Sequence, residues 1–191
     1  APGGVPAFRF PAYDEPALGR RAILRVRNAG DRDVLAPGTS DFEFGAEFRH
    51  DEATTGDPTD NGDNLIQRGL FGDGSQYKID IDKKKPSCRI EGADGAIQVK
   101  ASRPVEPDTW YAVRCSRRGG RVELLVMQYE GDRLVEKTRD EEEGRTGSIT
   151  SESIEQPMSV GGKLTAVGEV VERASDQFNG AVSNPFLIIE E

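Results

Sequence analysis

Apolar and polar residues alternate along this chain in short runs. The clearest is Phe42 to Arg49, where Phe42, Phe44, Ala46 and Phe48 share one parity and Glu43, Glu47 and Arg49 the other. A period of two marks a strand with one buried face. Tyr77, Ile79 and Ile81 repeat it, and shorter strand-like runs stand at 22–26, 65–68, 87–90, 97–100, 110–115, 158–162, 167–171 and 186–189. Val122 to Met127 carries apolar residues on both parities, which predicts a strand with something packed over its outer side. Turn-forming clusters punctuate the runs: Asn28-Ala29-Gly30-Asp31, Lys83-Lys84-Lys85-Pro86, Gly92-Ala93-Asp94-Gly95 and Arg118-Gly119-Gly120. The stretch 136–145 is densely charged without an apolar face, and reads as an exposed turn or loop. Residues 1–20, rich in Pro, Gly and Ala, read as an extended arm or edge strand. No run supports a helix of three turns. Many short strands with such punctuation predict an all-β sandwich or jelly roll, formed as one domain over 1–191.

Composition changes this picture little. A hydrophobic content of 35% with 31% charged residues is low for a core, but the apolar residues fall in periodic runs, which disordered chains lack. The net charge of −9 disfavours nucleic acid, because counterion release needs clustered Lys and Arg. Arg20-Arg21 and Arg117-Arg118 sit among acidic neighbours. No apolar run approaches the ~20 residues of a membrane helix. The start Ala1-Pro2-Gly3-Gly4 has the small-residue character left by signal-peptide cleavage or by trimming, and suggests a secreted or cell-surface protein.

Cys88 and Cys115 are the only two cysteines, and neither belongs to a Cys-x-x-Cys pattern. Each lies in a strand-like run, in phase with apolar neighbours. They are read as a disulfide that sets two strands side by side and contributes roughly 3 kcal/mol through loop closure. Two buried free thiols are the alternative.

The candidate chemistry is sparse. Asp57, Asp60 and Asp63 lie with Asn61, Gly62 and Asn64 in a loop rich in the oxygen ligands Ca²⁺ prefers, without EF-hand spacing. The same residue types also make ordinary turns. A glycosidase needs two carboxylates roughly 5–10 Å apart, one of them protonated. No Glu-x-Asp-x-x-Glu pattern is present, and Asp140-Glu141-Glu142-Glu143 places its charges on alternate faces of a loop. The single histidine, His50, ends the Phe strand and reads as structural. It provides neither a Ser-His-Asp set nor, with two cysteines, an ordinary zinc site.

The segments Asn64-Leu65-Ile66-Gln67-Arg68-Gly69, Gln76-Tyr77-Lys78-Ile79, Cys88-Arg89-Ile90-Glu91-Gly92, Trp110-Tyr111-Ala112-Val113-Arg114-Cys115, Ser159-Val160-Gly161-Gly162-Lys163 and Gln177-Phe178-Asn179-Gly180 come in the order of a laminin-G-like domain. The chain resembles that family, within the concanavalin A-like lectin/glucanase superfamily, over roughly 40–190. The resemblance implies two antiparallel sheets in a curved jelly roll with a ligand surface on the concave face. By family position it sets Trp110 in the core and makes Asp176 a second candidate for a structural calcium ion. Two departures are visible: Tyr111 stands where relatives often have His, and Gln128-Tyr129-Glu130-Gly131 where many have Asp-Gly.

Sugar binding needs an exposed aromatic. With Trp110 assigned to the core, the candidates are Tyr77, Tyr111 and Tyr129, the last two opposite in parity to Trp110 and Leu124. The sequence therefore reads as an extracellular, non-catalytic module that binds a glycan or a protein partner. The alternatives are a structural or adhesion domain without a sugar site, and a polysaccharide hydrolase or lyase with an unrecognised acid pair.

Overall fold

The computed structural model describes residues 1–11, 21–51, 63–151, 153–172 and 176–190. Among these, the strands in chain order are β1 (Phe8–Arg9), β2 (Leu24–Val26), β3 (Phe42–His50), β4 (Asp63–Arg68), β5 (Gln76–Asp82) and β6 (Lys85–Gly92). They continue with β7 (Gly95–Lys100), β8 (Trp110–Arg118), β9 (Arg121–Glu130), β10 (Arg133–Glu143), β11 (Met158–Val160) and β12 (Gly180–Ile189). They form two antiparallel sheets: sheet I in the order β1-β12-β3-β8-β9-β10, and sheet II in the order β2-β11-β4-β5-β6-β7. This is the predicted two-sheet jelly-roll sandwich.

The alternation read from the sequence is the alternation of the core. Phe42, Phe44, Ala46 and Phe48 are buried on the inward face of β3, opposite Tyr77, Ile79 and Ile81 of β5 in the other sheet. Aromatic rings fill the middle: Phe44 meets Tyr77 edge-on at 5.0 Å between centroids, and Phe48 stacks on Tyr111 at 5.7 Å. Phe10 brings the described part of the N-terminal arm into this core. Its ring lies where a Cβ on Gly161 would fall, 2.0 Å from Phe10 Cε1, and Gly161 has φ +89°. Only glycine fits there.

Cys88 and Cys115 are joined, with Cα atoms 6.1 Å apart. Cys88 lies in the cross-strand row Ile79–Cys88–Val99 of sheet II, and Cys115 in the row Phe44–Cys115–Leu124 of sheet I. The expectation of adjacent strands is thus corrected: the bridge crosses the core between sheets.

Two further expectations are corrected. The charged run expected to be a loop lies mostly in β10, which ends sheet I. An edge strand needs one bonded neighbour, here β9, and its charges discourage pairing with another chain. The run 167–171 is not a strand. It carries one isolated bridge, Leu164 to Val170, and Val167 is 70% exposed. Leu125, one of the outward apolar residues of β9, is buried without a further layer. Its cross-strand neighbours are Arg114 and Arg139, whose long stems can cover it.

Candidate functional site

Tyr77 and Tyr111 are corrected as ligand candidates, because both belong to the core. Tyr77 is 1% exposed and donates its hydroxyl to Leu35 O at 3.0 Å; burial pushes its ionisation up. Tyr111 is fully buried, and its hydroxyl accepts the Glu106 N–H at 2.9 Å. Trp110, one residue earlier, points outward from sheet I and is half-buried, reversing the assignment taken from the resemblance. Tyr129 also faces outward and donates to Glu47 Oε1 at 2.9 Å. Burial and then that bond push its pKa up to about 12.

Of the calcium candidates, Asp57 and Asp60 lie outside the described residues. Asp63 and Asp176 do come to one corner, where the Asn64 N–H donates to Asp176 O at 2.9 Å. Both carboxylates are engaged by protein groups. Asp63 Oδ2 meets His50 Nε2 at 2.5 Å and its Oδ1 accepts from Asn179 Nδ2, while Asp176 is ion-paired with Lys163. A cation there would meet the Lys163 ammonium and would have to displace it, so the described residues of this corner do not fit Ca²⁺. No group of three or more His, Cys, Asp or Glu gathers among the described residues.

The arrangement most suited to a ligand was not read from the sequence. It is the outward face of sheet II. One row across this face runs Ser159–Gln67–Lys78–Arg89–Gln98, a second Asn64–Asp80–Ser87–Lys100, and a third begins Gln76–Glu91. The pleat sends every second residue of a strand to this side, so the core-facing Ile79, Cys88 and Ile90 fix Lys78, Asp80, Arg89 and Glu91 as outward. Outward side chains of an outer sheet are usually solvated. Here Asn64, Gln67, Gln76 and Ser87 are each no more than 3% exposed.

A lattice of side chains joins them. Asn64 Nδ2 donates to Gln67 Oε1 at 2.6 Å, and Gln67 and Gln76 both donate to Gly69 O. Gln98 donates to Ser87 Oγ, Lys78 pairs with Asp80 at 2.5 Å, and Arg89 with Glu91 at 2.8 Å. The lattice is incomplete. Asn64 Oδ1, Gln76 Oε1, Asp80 Oδ1, Arg89 Nε and the neighbouring Ser75 Oγ are buried without a hydrogen-bond partner among the described residues. Each such atom costs about 1–3 kcal/mol, and native proteins keep few of them. The outward face of sheet I holds two of the same kind, Glu47 Oε2 and Arg49 Nε. At the rim of sheet II, beside Ser75, the ring of Phe71 is 82% exposed, with the Arg89 guanidinium 5.1 Å from its centroid.

Asp80 and Asp82 stand two apart on this face, the nearest approach to a glycosidase pair that the described residues of the face offer. Each is matched by a lysine, Asp80 by Lys78 and Asp82 by Lys100 at 3.2 Å.

The chain is similar in fold to several solved structures. The LG1-3 region of the laminin alpha2 chain superposes with a TM-score of 0.61 at 15% identity, over 88% of this chain and 31% of that one. A heptameric SAP-like pentraxin from Limulus polyphemus gives 0.56 at 12% identity, over 95% and 74%. The enzymatically active domain of bacteriophage CBA120 tailspike protein 2 gives 0.53 at 12% identity, over 81% and 23%. The chain therefore spans about a third of the laminin fragment and shares the concanavalin A-like jelly-roll fold of all three. No family model and no curated protein sequence matches it.

Proposed function

We propose that this protein is an extracellular, non-catalytic module that binds a glycan on the outward face of sheet II. One observation carries the reading: five buried polar atoms without hydrogen-bond partners gather on and beside that face. Three are acceptors, one is a donor and Ser75 Oγ is both. A sugar hydroxyl also donates and accepts, so a ring that displaces the side chains covering these atoms satisfies both kinds at once. Phe71 at the rim supplies an exposed apolar ring on which the C–H face of a sugar can rest. Asp80 and Asp82 are each held in an ion pair by a lysine, which supports a binding rather than a catalytic role. The inter-sheet disulfide supports an oxidising compartment.

A protein-docking role for sheet I is the second reading. Its outward face carries half-buried Trp110, Met127 and Tyr129, with Leu134 37% exposed. Two orphaned atoms there, against four on sheet II and a fifth beside it at Ser75, support taking the sheet II reading first.

A glycan array probed in calcium, with an EDTA control, distinguishes them. Binding is expected, and EDTA is expected to leave it unchanged. Phe71→Ala or Gln76→Ala should weaken the positive glycan roughly tenfold, each removing one stacking or hydrogen-bond contact. Trp110→Ala should leave it unchanged. Binding lost with Trp110→Ala and kept with Phe71→Ala would move the site to sheet I. No glycan bound at all would remove the reading.

A further inference from the structure

The ladder between β9 and β10 is broken at one place. Glu136 pairs with Met127 and Thr138 with Val126, so Lys137 between them has no cross-strand partner. An extra residue of this kind bends the strand and re-aims a side chain. Here it turns Lys137 toward the interior of the sandwich. The ammonium lies 5.3 Å from the centroid of the Tyr111 ring, 3.5 Å from the Tyr111 hydroxyl and 3.4 Å from Gln128 Oε1. Tyr111 is fully buried and accepts the Glu106 N–H, so the base on which Lys137 rests is fixed.

Lys137 and Gln128 line a cleft of about 350 Å³ between the paired ends of β9 and β10 and the segment 103–106. Both are half-buried, which sets them at its floor. Pro104 and Val135 add apolar wall, and Arg103, Glu106, Glu130 and Glu136 are exposed at the rim. The charges do not cancel. Glu136 is taken by Arg139 at 2.9 Å, while Lys137, Glu106 and Glu130 make no ion pair among the described residues. A half-buried ammonium with only long bonds to neutral groups lacks the counter-charge that usually accompanies burial. Three glutamates share its cleft, yet the geometry keeps them from reaching it.

We propose that this cleft binds a small linear zwitterion, an ω-amino acid with a few methylenes between its charges. The carboxylate reaches the floor and pairs with Lys137, with the Gln128 amide as a further donor. The methylenes lie along Pro104 and Val135, and the ammonium stays at the rim with Glu106 and Glu130. Floor and rim lie at different depths, so a chain has to separate the two charges. A rim of one arginine against three glutamates repels a polyanion. A cleft of this volume is the size of a small-molecule site. It shares no residue with the outward face of sheet II, and stands whether or not that face binds a glycan.

The test is calorimetric titration of the whole protein with δ-aminovalerate at low ionic strength, with valerate and pentylamine as controls that carry one charge each. The zwitterion should bind saturably, and each control should bind roughly tenfold more weakly. Added salt should weaken binding. Lys137→Met, which keeps the apolar stem and removes the charge, should cost roughly tenfold in affinity with the melting temperature little changed. Lys137→Arg should retain part of the binding, because it restores the charge. Glu130→Gln should weaken the zwitterion roughly 2- to 5-fold and leave valerate unchanged. In magnetic resonance spectra the Gln128 side-chain amide should shift and that of Gln76 should not, which separates this cleft from the face of sheet II. No saturable binding of δ-aminovalerate, equal binding of valerate, or undiminished binding by Lys137→Met would each overturn the proposal.

Discussion

Replacing Cys88 and Cys115 together by alanine is expected to lower the melting temperature by roughly 10–15 °C. The bridge closes a loop with a sequence separation of 27. Chain-entropy arguments give about 3–4 kcal/mol for a loop of that size. Both sulfurs lie in rows of fully buried side chains, Ile79 and Val99 on one sheet, Phe44 and Leu124 on the other. Two alanines leave unfilled space there, adding about 1 kcal/mol. For a chain of this length each kcal/mol moves the midpoint by about 2–4 °C. A thermal melt followed by circular dichroism reads the shift. The unfolded oxidised protein should show no titratable thiol before reduction and two after it. A fall of less than about 3 °C would mean that core packing alone holds the two sheets.

Arg117→Ala is expected to cost about 3–4 kcal/mol, and Arg117→Lys to recover less than half of it. The guanidinium points inward at one end of β8, 4% exposed, over the Phe42 ring at 4.9 Å. It donates to Gly147 O and Gly38 O at 2.9 Å, to Thr146 Oγ1 at 3.2 Å, and to Ser40 O. It thus ties the chain before β3 and the chain after β10 to the end of the sandwich. Burial lowers its pKa, while Asp41 opposes that shift. Removing the fork leaves buried carbonyls short of donors. A lysine brings the charge back but not the planar arrangement that reaches four acceptors. Urea unfolding gives the energy, and hydrogen exchange should show loosening confined to 38–41 and 144–149. A lysine variant as stable as the wild type would reduce Arg117 to a simple charge.

Most strands were legible because burial follows parity, and parity is written in residues such as Phe42, Phe44 and Phe48. β10 was not, since an edge strand of Glu, Arg and Asp has no apolar stripe to reveal it. The run 167–171 misled in the opposite sense: valines favour strands, yet without a sheet neighbour they form none. The Trp110 error came from following the resemblance against parity. Tyr111, Val113 and Cys115 share a phase, so a buried cystine already required a buried Tyr111.

The candidate site was less legible. Asn64, Gln67, Gln76 and Gln98 place amides where exposed strand faces more often carry Lys or Glu, and that excess was a usable signal. Which of their atoms lack partners depends on register between strands far apart in sequence. The sequence shows that these residues are polar, but only the fold shows that Asn64, Gln67 and Gln76 are buried.

The most direct test is a nuclear magnetic resonance titration of the side-chain signals of Asn64, Gln67, Gln76 and Arg89 with an array-positive glycan. The amide protons of Gln76 and Asn64 and the Arg89 Nε–H should shift in saturable fashion with one affinity, while the Trp110 indole N–H stays in place. Saturable shifts at Trp110 with none on sheet II would overturn glycan binding on that face.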